Sequence, residues 1–118
     1  IGSLQITSGN LTPSGGMRLA TGVTTGSGGF STGSATLALV DASAGAVTRT
    51  LYTTTTPGFC YIVTRVNPGA NAVNVAPPGG GTINGSSSPI VLGSAGESVM
   101  VFSTSTSGAW IACRLSAA

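Results

Sequence analysis

Asp41 and Glu97 are the only carboxylates of this chain, Cys60 and Cys113 its only thiols, and Arg18, Arg49, Arg65 and Arg114 its only side-chain cations. There is no histidine and no lysine. One carboxylate pair is the minimum equipment of a glycoside hydrolase. Each carboxylate here has a plainer use, however. Asp41 ends an apolar run just before "ASAG", where a turn needs a hydrogen-bond acceptor. Glu97 opens another run after "SAG", where a solvated charge is expected. Without His or Lys most general-base arrangements are missing. Calcium would want several clustered oxygen ligands, and two cysteines without a histidine or acidic partner make a poor zinc site. The sequence therefore predicts no enzyme, no cofactor and no metal.

The thiols fall within two strongly apolar runs. Alternation groups Cys60 with Ile62, and Cys113 with Ile111 and Leu115. Those groups look like core faces, so Cys60 and Cys113 are expected as buried structural residues. They would be free thiols, with a disulfide joining the two runs as the alternative. Tyr61 and Trp110 alternate with these positions; core packing is a better reading for them than a ligand platform.

Composition narrows the function classes. Charged residues make up only 5% of the chain, against about 25% in an ordinary soluble domain. The net charge of +2 comes from isolated arginines. Binding to phosphates needs several cations acting together, so nucleic acid is not an expected partner. The chain is 41% hydrophobic with a mean hydropathy of +0.43, too apolar for disorder. Its longest apolar runs, such as "LALV" and "VMVF", are far short of the ~20 residues that cross a bilayer, so no membrane partner is expected. The opening "IGSLQITSGNLTPSGG" has no basic segment before an apolar core, and no secretory leader is expected.

What would position these few groups is an all-β fold. From residue 35 onward, short β-branched or alternating runs recur with turn signals every 8–12 residues. They are 35–41, 46–54, 59–66, 72–76, 82–85, 89–93, 97–103 and 109–116, separated by "ASAG", "TTPG", "NPGAN", "PPGGG", "SSS", "GSAG" and "TSTSG". No 3.6-residue period appears among them. The expected architecture is a compact antiparallel β-sandwich or barrel over residues 35–118. "PPGGGTING" is expected to be a fixed structural turn formed by Pro77, Pro78, Gly79, Gly80, Gly81, Asn84 and Gly85. Residues 1–34, rich in Gly, Ser and Thr, are expected to be an extended arm or a loosely tied pair of strands, with "SLQI" and "MRLA" as the possible short strands. Leu4, Ile6, Leu11, Met17 and Leu19 are its candidate anchors to neighbouring subunits. A chain without edge Lys or Glu cannot protect its strand edges with charge. Bent edges and coverage by copies of itself are the expected substitutes.

Several pieces resemble a β-rich module of virion surface proteins in tailed bacteriophages. They are Arg65–Asn67, "ANAVNVAP" at 70–77, "GGTING" at 80–85, Ile90–Leu92, "SVMVFS" at 98–103, and Trp110 in the last strand. The likeness covers about residues 36–115. Such modules occur in head decoration (cement) proteins and in tail fibres. The resemblance implies a virion protein assembled in the host cytoplasm, usually as a homotrimer. A short, nearly uncharged body with a polar arm suits a decoration protein on the capsid surface, bridging units of the major capsid protein. A tail-fibre or other receptor-binding tail module is the alternative. Fully extended at ~3.3 Å per residue, residues 1–34 would reach on the order of 100 Å, enough to cross between subunits.

Overall fold

The computed structural model describes residues 8–10, 12 and 14–115. Leu4, Ile6 and Leu11 lie outside them. The described residues form ten strands and no helix: β1 (Thr21–Thr24), β2 (Gly28–Gly29), β3 (Leu37–Val40), β4 (Val47–Thr50), β5 (Cys60–Arg65), β6 (Val73–Ala76), β7 (Thr82–Ile83), β8 (Ile90–Leu92), β9 (Ser98–Ser103) and β10 (Ala109–Arg114). The expected all-β character is present. The expected antiparallel sandwich or barrel is not.

The strands build two sheets, ordered β1-β3-β5-β9-β10-β7 and β2-β4-β6-β8. Through β6 the chain alternates between them, one strand in each. Accordingly β1, β3 and β5 pair in parallel, as do β2, β4 and β6. Three such turns stack as a short solenoid. The second half then closes it with antiparallel pairs: β5 with β9, β9 with β10, and β6 with β8. A parallel pair needs a crossover. In the solenoid each crossover is a strand of the other sheet, whereas the short parallel pair of β7 with β10 is joined through β8 and β9.

The solenoid begins inside the segment expected to be an arm. β1 pairs along its whole length with β3, and Phe30 N donates to Thr50 O while its ring is 5% exposed. The boundary at residue 34 is therefore corrected: the body starts near Ala20, whose carbonyl accepts from Leu37 N. The sequence looked loose there because Thr and Gly fill the strands, and Gly carries no side chain to mark a face.

The core lies between the sheets. Ala38, Val40, Tyr61, Val63, Val99, Val101 and Trp110 from the larger sheet meet Val47, Val73, Val75 and Leu92 from the smaller. One end of this core is aromatic. Tyr61 packs against Phe30 and Trp110, and Tyr52 sets its ring edge to Phe59, Tyr61 and Trp110. The polar tips are all engaged: Trp110 Nε1 donates to Tyr52 O at 2.9 Å, the two tyrosine hydroxyls share a 2.7 Å bond, and Tyr61 Oη donates to Ser31 O. Burial and the Tyr52 hydroxyl push the Tyr61 phenol well above its ordinary pKa, so it stays a neutral donor.

Candidate functional site

At the other end of the core sits a polar node. Arg65 lies on the inward face of β5 with no exposed surface. Its guanidinium donates to Asn67 O (3.2 Å), Leu92 O (3.3 Å) and Gly69 O (2.6 Å), and no carboxylate pairs with it among the described residues. Asn67, also buried, accepts from Ala42 N at 2.8 Å and donates to Pro68 O and Asn71 O. Asn71 completes the tie by donating to Ala42 O and Ser43 O. The "NPGAN" turn is thus tied to the turn after β3 and to the end of β8. A buried cation satisfied by carbonyls is a brace, not a site open to substrate.

Both carboxylates hold local structure. Asp41 accepts from Ser43 N (2.9 Å) and from the Ser43 hydroxyl, and these bonds hold its pKa below the usual value. That is the expected turn acceptor. Glu97 corrects the expectation of a solvated charge. It is 4% exposed, accepts from Gly93 N at 3.0 Å and pairs with Arg114 at 3.3 Å. Arg49 lays its guanidinium over the Phe30 ring, 5.1 Å from the centroid. Together they border a pocket of about 140 Å³ shared with Thr24, Ser34 and Ala38. No group of three or more metal-ligating side chains occurs among the described residues.

The proline-glycine turn is a built piece of backbone. Asn84 (φ 52°) and Gly85 (φ 80°) are both left-handed, as a two-residue hairpin turn of this hand demands, and Ile83 and Ser86 exchange both backbone bonds across it. The Asn84 side chain then behaves like one more strand residue beside β10: its Nδ2 donates to Ala112 O (3.0 Å) and its Oδ1 accepts from Ala112 N (2.9 Å). At Gly81 a Cβ would lie 2.3 Å from Gly108 O and 2.6 Å from Pro78 Cγ, so only glycine fits. Pro78 is buried; Pro77 is half-buried and Gly79 and Gly80 are exposed. The cleft beside the turn, lined by Pro77, Pro78, Ser87 and Pro89 among others, contains no ionisable group.

The thiols correct the sequence reading. Cys60 is half-buried and Cys113 exposed, both free. The inward residues are Tyr61, Val63 and Arg65, so Cys60 and Ile62 face out, as do Ile111 and Cys113. Partial burial, with the neighbouring Cys113 adding to it, pushes the Cys60 thiol up. Of the candidate anchors, Met17 is 67% exposed and Leu19 half-buried, on the segment that leads into β1.

Sequence reasoning missed the surface these thiols belong to. The outer face of the six-stranded sheet carries three cross-strand rows: Cys60–Phe102–Ile111, Leu37–Ile62–Met100–Cys113, and Val23–Leu39–Thr64–Ser98. It holds no charged side chain. The signal was present as apolar residues on both parities of the runs at 59–66 and 97–103, which marks strands covered on both faces. No protein-family model matches this chain, and no curated protein matches it.

Proposed function

We propose that this protein is a structural component of a bacteriophage virion: a decoration protein that assembles as a homotrimer on the capsid surface and bridges units of the major capsid protein. Its role in this reading is binding and bracing, not catalysis. The observation that carries it is how the chain uses its ionisable groups. Arg65, Glu97, Arg114, Asp41 and Arg49 are all engaged in holding turns, strand ends or the Phe30 ring in place. Apart from Arg18 and the outer part of Arg114, what is left outside is largely Ser, Thr, Gly, Asn and apolar surface, suited to close packing against other subunits. The resemblance of residues 36–115 to virion surface modules points the same way. The segment 14–18 is exposed and enters the body at β1, an edge of the larger sheet, so a preceding arm would leave the body at an edge and lie across a neighbour.

The test is binding to empty capsids. Full-length protein should saturate them and raise their resistance to heat. Deleting residues 1–18 should leave the body folded while weakening both effects. Truncated protein that saturates capsids with full affinity would overturn the arm's role. Full-length protein that ignores capsids and binds host cells would overturn the decoration reading in favour of a tail-fibre module.

A further inference from the structure

Sheet faces in a two-layer body are normally dry inside and wet outside. The smaller sheet largely obeys: its outer face presents Thr48, Asn74 and Thr50, with Ala76 and the 46% exposed Val91 beside them. The larger sheet does not. Around Ile62 and Met100 its outer face gathers Leu37, Leu39, Phe102 and Ile111, with Val23 at the β1 edge 71% exposed. Arg114, the one charge on these strands that is not buried, turns to Glu97.

We infer that a second copy of this chain covers this face. Charge is the first argument. The face has no charged group with which a charged partner could pair, its hydroxyls on Thr64 and Ser98 bond to each other, and it lets two copies, each of net charge +2, meet with no like charges opposed. Area is the second. Five strands ~4.8 Å apart and about five residues of ~3.3 Å span roughly 400 Å² in projection. Leu37, Leu39, Ile62, Met100 and Phe102 are half-buried there, while Val23 and Ile111 are 71% and 42% exposed. To bury the ~800 Å² that each partner of a stable pair covers, a second copy must therefore reach past these strands to Met17 and Leu115, 67% and 51% exposed. Geometry is the third, because uncharged sheet faces pack directly on one another about 10 Å apart. In a trimer the same faces line the three-fold axis. The inference rests on the assembly part of the proposed function and not on the capsid, so it is tested on purified protein with no capsid present.

Sedimentation of the full chain at micromolar concentration should show an oligomer. Ile62→Lys and Met100→Lys should sediment as monomers with unchanged β-sheet circular dichroism, while Thr48→Lys, on the opposite sheet, should remain assembled. In the wild-type oligomer, maleimide labelling of Cys113 should be slowed roughly tenfold or more relative to protein diluted until it dissociates, since access governs the rate. That measurement decides the matter if the lysine variants do not fold. A wild-type monomer overturns the inference, as does a folded Ile62→Lys variant that still assembles, or an oligomer whose Cys113 labels at the diluted rate. A monomer with Cys113 protected also overturns it, by assigning the face to another segment of the same chain.

Discussion

Arg65 shows what single residues do in this molecule. A fully buried guanidinium without a carboxylate is costly to desolvate, and it is held here because three carbonyls, two in the "NPGAN" turn and one at the end of β8, need its protons. Arg65→Met would fill much of the volume but leave Asn67 O, Gly69 O and Leu92 O short of a donor. We expect a loss of about 2–4 kcal/mol in denaturant unfolding, with Arg65→Lys intermediate. A methionine variant as stable as wild type would show that the carbonyls find other partners. The glycines of the turn divide by mechanism. Gly85 has open space around its missing Cβ but a φ of 80°, so Gly85→Ala should cost about 1–2 kcal/mol. Gly81 has ordinary φ but Gly108 O and Pro78 in the way, and backbone has to move before an alanine fits. Gly81→Ala should be the worse of the two in thermal melts; the reverse order would mean the Pro78 loop shifts easily.

At the scale of elements, the first two strands decide where the body begins. Phe30 is 5% exposed, stacks near Tyr61 and carries Arg49 on its ring, so Phe30→Ala should cost about 3–5 kcal/mol. Deleting residues 1–34 should unfold the protein or leave it prone to association, whereas deleting 1–18 should not; equal melting curves for the two truncations would restore the arm boundary at residue 34. Strand positions from β3 to β10 were legible in the sequence, because β-branched runs and turn residues are local signals. The run at 59–66 contains β5, and "NPGAN" and "TING" turn where their Pro, Gly and Asn require. Pairing direction was not legible. Nothing in a strand's own alternation says that its neighbour arrives in parallel after a crossing through another sheet. Facing was lost at β5 because Cys60 and Ile62 are as apolar as Tyr61 and Val63, and because the inward Arg65 contradicts the rule that charge faces out. β1 and β2 were missed because Thr and Gly also spell loops. Asp41 was recognised as a turn acceptor, whereas Glu97 was placed in solvent, since its partner Arg114 lies a strand away.

For the whole molecule the governing feature is the contrast between its two sheets, one with a threonine- and asparagine-bearing outer face and one with an apolar outer face. If copies associate through the apolar face, the free energy comes from removing that surface from water and owes little to charge. The oligomer should then be nearly indifferent to simple salt. Its dissociation constant should change by less than about threefold between roughly 0.05 and 0.5 M NaCl, a range over which screening strongly weakens exposed ion pairs. Sulfate at the same ionic strength should tighten it, because excluded salts favour burial. Sedimentation across such a series separates this face from its competitor, contact through the arginines. Arg18 is exposed and Arg114 is 44% exposed beside Glu97, so an assembly seated on them would fall apart as sodium chloride rises. Dissociation by salt would therefore move the interface to the ends of β1 and β10, whereas indifference to chloride with tightening in sulfate would keep it on the rows that pass through Ile62 and Met100.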